Sequence, residues 1–132
     1  MNEEIKNILN SIDFNNNKLV KINNNLFLTN NQIELLRRYN IYPIELEEVI
    51  CKCKYVKECT IVAVKHKVKQ EAVKAVIVLK KDIEKTNDVE REIKEYCKKN
   101  IAKYAIPYEY EFRESLPITR VGKINYRELE RK

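Results

Sequence analysis

Recognisable chemistry concentrates in one stretch, LPITRVGKINYREL (residues 116 to 129), where Lys123 follows Gly122, the only glycine of the 132 residues. Glycine removes a side chain and frees φ, so it can hold a lysine on a tight turn. A lone Gly-Lys pair also has a simpler reading, a turn before a helix with a solvated cation. It is not a phosphate-cradling loop, because the GxxxxGK[ST] spacing is absent and one glycine cannot build a nest of backbone N–H groups. The surrounding residues Leu116, Pro117, Thr119, Ile124, Arg127 and Leu129 have to supply the lysine's meaning.

The remaining reactive side chains form weaker patterns. Cys51 and Cys53 lie near Cys59 and His66, but there is no second CxxC, so no metal site is expected. Cys53, Cys59 and Cys97 fall at apolar positions, and His66, the only histidine, has no matched nucleophile and reads as a surface-turn residue. Tyr39, Tyr42, Tyr55, Tyr104, Tyr108 and Tyr110 read as packing residues with a wet hydroxyl rather than a stacking platform.

The net charge of +6 invites nucleic acid as a partner. Cations are nevertheless interleaved with acids throughout, as in KKDIEKTNDVEREIKEYCKK, and such mixing marks solvated helix faces. No nucleic-acid partner is expected. Apolar residues make up 44% of the chain, yet no run approaches the roughly 18 to 20 needed to cross a bilayer. The start, MNEEIKNILN, is acidic and has no signal-peptide core, so the reading is cytoplasmic, without membrane, and the four cysteines are expected as reduced thiols.

The elements that must position the lysine follow from periodicity. Ile5, Ile8, Leu9 and Ile12 predict an amphipathic helix over residues 3–14, followed by an Asn-rich linker. KLVKI (18–22) and NLFLT (25–29) predict a hairpin, and QIELLRRYNIY is read as extended or mixed up to Pro43. Pro43 opens a helix with Glu45, Glu47 and Glu48 near its positive end and a buried stripe of Leu46, Val49, Ile50 and Cys53. CTIVAVKHK and EAVKAVIVLKK read as central strands joined by a turn at HKVKQ. A second amphipathic helix is predicted from Asp88, as N-cap, to about Lys103, ended by Pro107. YEYEFRE (108–114) alternates like a half-buried strand, and a final helix begins near Asn125. The order predicts an α+β domain: a small central sheet of about three strands flanked by helices, plus an N-terminal β-hairpin. Residues 1–17 form an N-terminal amphipathic helix and linker, and 18–132 the domain proper.

Leu116, Pro117, Thr119, Gly122, Lys123, Ile124, Arg127 and Leu129 together resemble the C-terminal signature PxTxxGKxxRxxL of the acyl-adenylate-forming superfamily. This superfamily comprises acyl-CoA synthetases, luciferases and nonribosomal peptide synthetase adenylation domains. Other segments resemble it in order: YNIYPIELEEVI is similar to GYNIYPxEIExxL, YVKECTIVAV to the strand after hPxVxEaaV, QEAVKAVIVLK to GExxkAfVVLK, and IAKYAIPYEYEFRESLP to LAxYKxPxxxxfvdxLP. The resemblance runs from about Lys18 to the last residue.

It implies a small mobile C-terminal domain hinged to a much larger N-terminal domain that holds ATP, Mg and the acid. Lys123 is then the lysine that reaches the ATP site during adenylation, on a loop supported by Pro117, Thr119, Gly122 and Arg127. Later rotation of the domain admits the pantetheine thiol of CoA or phosphopantetheine. Where the family's hinge reads GRxDDxIKxxGY, this chain reads LTNNQIELLRRY, with Asn31 or Gln32 at the hinge acid. Arg38, before Tyr39, replaces the glycine that lines the thiol path, and either blocks that path or meets a phosphate. The family's Ser/Thr/Gly-rich phosphate loop has no counterpart in the 132 residues. The expected role is therefore a free-standing domain, inactive alone, that assists a separate N-terminal adenylating domain. The alternative is a non-catalytic docking or regulatory module for a synthetase or acyl carrier protein.

Overall fold

The computed structural model describes residues 20–23, 26–66 and 70–130. The helix expected over 3–14 and the centre of the HKVKQ turn lie outside the described residues. Strands β1 (Val20–Asn23) and β2 (Leu26–Leu28) pair antiparallel, as the two β-rich runs predict.

The next segment departs from the sequence reading. Residues expected as extended or mixed form helix α1 (Asn30–Tyr39). A capping box explains its start: Thr29 Oγ1 accepts from the Gln32 N–H at 3.1 Å, and Gln32 Oε1 accepts from the Thr29 N–H at 2.9 Å. Ile33, Leu35 and Leu36 are buried, Arg37 and Arg38 sit in the negative last turn, and Asn40 closes the helix at φ 55, a conformation asparagine tolerates. The extended expectation holds only just before Pro43, where Tyr42 has φ −104 and ψ 103. Helix α2 (Pro43–Cys51) follows with proline in its first turn and Glu45 near its positive end, and it buries Leu46 and Ile50.

Strands β3 (Val56–His66) and β4 (Gln70–Leu79) form a long antiparallel pair in register from Val56↔Leu79 to His66↔Gln70. Helix α3 (Asn87–Asn100) lies in the crossover to β5 (Glu109–Arg113), which pairs parallel to β4. The sheet order is β3-β4-β5. Two details of α3 differ from expectation. Its N-cap is Thr86, whose hydroxyl accepts from the Val89 N–H at 3.1 Å, while Asp88 is occupied by Arg91 at 2.6 Å. Nor does Pro107 end it: the chain turns extended at Ile101 and makes a 3-10 turn at Lys103–Ala105 first. The last helix, α4 (Tyr126–Glu130), starts where Asn125 Oδ1 accepts from the Glu128 N–H. The sheet flanked by helices and preceded by a hairpin is the predicted α+β arrangement.

Alternation sorts the sheet residues onto two faces. Ile61, Ala63, Val73, Ala75 and Ile77 join Leu46, Ile50, Ile93 and Cys97 in the main core, under α2 and α3. Val62 and Val76 face the other way and enclose Leu129 of α4, with Leu116, Ile124 and Tyr126 packed around them. Tyr39, Tyr55 and Tyr110 pack against the main core as expected. Tyr104 and Tyr108 are instead 62% and 59% exposed; in the 3-10 turn that carries Tyr104 it is Ala105 that is buried.

Candidate functional site

The lysine loop is a tight hairpin. The Gly122 N–H donates to the Thr119 carbonyl at 3.0 Å, and the Thr119 N–H donates to the Lys123 carbonyl at 2.7 Å. Ile118 bridges Ile124 antiparallel, and the Asn125 N–H donates to the Pro117 carbonyl at 2.8 Å. Gly122 has φ +81, the left-handed position that ends a three-residue hairpin loop, and an added Cβ would meet nothing within 4 Å. The glycine is thus required by backbone conformation and not by crowding. Thr119 adds a second tie: its hydroxyl accepts from the Lys123 N–H at 3.3 Å. Lys123 itself is exposed, beside Val121 and Ile118, which are also exposed.

Three residues after Lys123 the chain enters α4, which is tied to the sheet and to the segment at residue 29. Leu129 is its apolar peg between Val62 and Val76. The buried Lys74 ammonium donates to the Leu129 carbonyl at 3.1 Å and pairs with Glu111 at 2.7 Å and Glu109 at 3.6 Å. Glu111 also pairs with Arg113, which reaches Glu128 of α4 at 3.5 Å. Burial pushes the Glu111 carboxyl up, but Lys74 and Arg113 outweigh it and hold the group below the usual carboxylate range. Finally, Thr29 Oγ1 donates to Glu130 Oε2 at 2.9 Å.

A second cluster lies along β3. Gln32 Nε2 donates to the Ile61 carbonyl at 2.6 Å, and the Ile61 N–H donates to Glu47 Oε2 at 3.3 Å. Both backbone groups of one strand residue are therefore taken by side chains of α1 and α2. Burial pushes the Glu47 carboxyl up to about 7, against the Ile61 N–H and Thr60 hydroxyl that pull it down.

Of the residues singled out in the sequence, Pro117, Thr119, Gly122 and Lys123 come together in the hairpin. Arg127 is exposed in α4. Asn31 is exposed and Gln32 buried in the first turn of α1, while Arg38 and Tyr39 lie about 10 Å further along that helix. Arg38 is paired with Glu34 at 2.7 Å, and Tyr39 is half-buried against the core. The four cysteines are free thiols, with Cys51 exposed and Cys53 and Cys97 buried. Among the described residues no cluster of His, Cys, Asp and Glu could hold a metal, and no helix is long and apolar enough to cross a membrane. Sequence reasoning missed Thr29, Glu47, Lys74 and Glu130. Two carried signals: TNNQ is a capping box, and Lys74 interrupts the apolar run AVKAVIVL.

The profile of the AMP-binding enzyme C-terminal domain matches residues 45–123. A long-chain-fatty-acid–CoA ligase of Haemophilus influenzae is 39% identical over 92 residues, covering 70% of this chain and 16% of that ligase. Among solved structures, the ATP-bound RpMatB-BxBclM chimera B1 superposes with a TM-score of 0.64 at 29% identity, over 68% of this chain and 18% of the other. The Brucella canis acyl-CoA synthetase superposes at 0.59 with 31% identity, over 67% and 16%. The chain therefore spans less than a fifth of the length of these relatives.

Proposed function

Because the chain belongs to the family of AMP-binding enzyme C-terminal domains, we propose that it is the lysine-bearing part of an AMP-forming acid–thiol ligase, working with a larger adenylating domain supplied separately. The observation that carries this reading is the hairpin that presents Lys123: exposed, one residue past a positive-φ glycine, on a loop closed by its own backbone bonds. The hairpin offers one ammonium, and the chain's single glycine cannot build a glycine-rich cradle, which suits a group that reaches a nucleotide held elsewhere. ATP, with Mg, would be held by the adenylating domain, as would the acid. Attack of the acid carboxylate on the α-phosphate, with pyrophosphate leaving, gathers negative charge on several oxygens. An ammonium about 4 Å away contributes about 4 kcal/mol per unit charge at an effective dielectric of about 20. A fraction of that, realised only in the transition state, is worth about two to three powers of ten in rate. CoA or phosphopantetheine is the proposed thiol, and the cytoplasm the proposed compartment.

The test is reconstitution. The chain is mixed with an adenylating domain lacking its own lysine domain, and acid-dependent pyrophosphate release is followed. Wild type should restore release, and Lys123→Ala should lower it about 10²- to 10³-fold; equal rates would remove the catalytic role.

One observation favours a second reading, a docking or regulatory module for a synthetase or acyl carrier protein. Arg38, exposed on α1 and paired with Glu34, puts bulk and charge where the resemblance implies a glycine on the thiol path. That reading predicts capture of acyl carrier protein at low salt, insensitive to Lys123→Ala and lost on charge reversal of surface lysines.

A further inference from the structure

We propose that Glu130 is a positioning residue that latches the helix behind the lysine loop to the segment at 29–31, so that the two segments move as one body. The consequence for catalysis rests on the adenylation reading; the latch itself does not. Helix α4 has five residues, far too few to be helical on its own. Its conformation and aim are set by what holds it. Leu129 pegs its last turn, and Lys74 fixes the Leu129 carbonyl to the sheet. The next residue, Glu130, reaches the other way, accepting from the Thr29 hydroxyl at 2.9 Å and from the Asn31 side chain.

Thr29 has its one donor committed: its hydroxyl accepts the capping bond from Gln32 and gives its single proton to Glu130. The same side chain therefore starts α1 and ties down α4. Toward the loop, the chain is continuous through Asn125, whose side chain caps α4 and whose N–H bonds Pro117. A rotation of the 29–31 segment consequently has a direct route to Lys123: Glu130, the α4 backbone, Asn125 and the hairpin. The resembling family has its hinge acid where Asn31 or Gln32 stands here, and on that reading one carboxylate joins the domain's pivot to its reacting loop.

Native-state hydrogen exchange on the full chain tests the latch without any partner. Glu130→Ala should speed exchange at the Gly122, Lys123 and Asn125 amides, and at Gln32 and Ile33, about tenfold relative to Ile93 and Cys97 in α3. Glu130→Gln keeps an acceptor oxygen at the same reach and should stay within about threefold of wild type. Asn31→Ala, which leaves α4 untouched, should speed the loop amides about two- to threefold. Uniform acceleration across α3 and the loop, an unchanged loop, or Gln behaving like Ala would each overturn the proposal. If Glu130→Ala does not fold, the Gln and Asn31 variants still decide it. In the reconstituted assay Glu130→Ala should lower kcat and leave the KM for the acid unchanged, and Glu130→Gln should restore kcat. Coupled exchange without pyrophosphate release from any variant would sink the adenylation reading and leave the latch standing.

Discussion

The packing under α2 and α3 and the packing under α4 stabilise the same sheet by different means. The first is an apolar core in which Ile50, Ile61, Ile77, Ile93 and Cys97 are completely buried. The second has three buried apolar side chains, Val62, Val76 and Leu129, and around them a buried ammonium, a chain of carboxylates and the Thr29–Glu130 bond. Apolar burial is large and non-directional, whereas hydrogen bonds and close ion pairs are modest and demand geometry. Stability and aim are thus separated: the first cluster keeps the domain folded, and the second orients the loop bearing Lys123.

The separation can be broken, most forcefully from the apolar side. Ile77→Ala should cost about 3 to 4 kcal/mol by lost burial plus a cavity, read in denaturant unfolding, with no bias toward the loop. Lys74→Met should cost about 2 to 3 kcal/mol, less than a fully buried pair, because the Glu109 and Glu111 side chains left behind are 31% exposed. Its signature is different: faster exchange concentrated in α4 and residues 116–125. An equal effect on α3 would erase the distinction between the clusters.

Glu47, at the edge of the sheet, gives a pH test. Its carboxyl is raised in the folded state to about 7 from 4.5, so between those values the folded chain binds more protons than the unfolded one. Stability contributed by this group is therefore complete below about pH 4.5 and is lost as pH rises to about 7, by about 1 to 3 kcal/mol after discounting the part of the carboxyl that stays wet. Glu47→Gln should flatten that slope in thermal unfolding curves taken across the range. The smallest effect is Gly122→Ala. With open space at the Cβ position the penalty is backbone strain alone, about 1 kcal/mol, read as a local gain in loop exchange.

How much was legible in the sequence depended on how far each signal reached. The helix at Pro43, the apolar strands and the glycine turn each carry their cause within a few residues, and the sequence reading found them. Helix α1 was missed although TNNQ and Asn40 mark its ends, because QIELLRRY mixes β-prone and helix-prone spacing and the proline beyond it suggested extension. Thr86 lost to Asp88 as predicted cap by two positions, a choice decided by which oxygen meets the Val89 N–H. The Thr29–Glu130 bond joins residues 101 positions apart, and no local pattern could announce it. Lys74 was legible as an oddity in a strand, but its partners on β5 and α4 were not.

Among the described strands, β3 runs for eleven residues along an edge of the sheet. Such an edge is a template on which strands of other molecules can add and aggregates can grow. At Ile61 its N–H and its carbonyl are already taken by Glu47 and Gln32. An incoming strand would have to give up its central rung or evict two side chains that α1 and α2 hold in place. The domain thereby keeps a long strand while denying it to strangers.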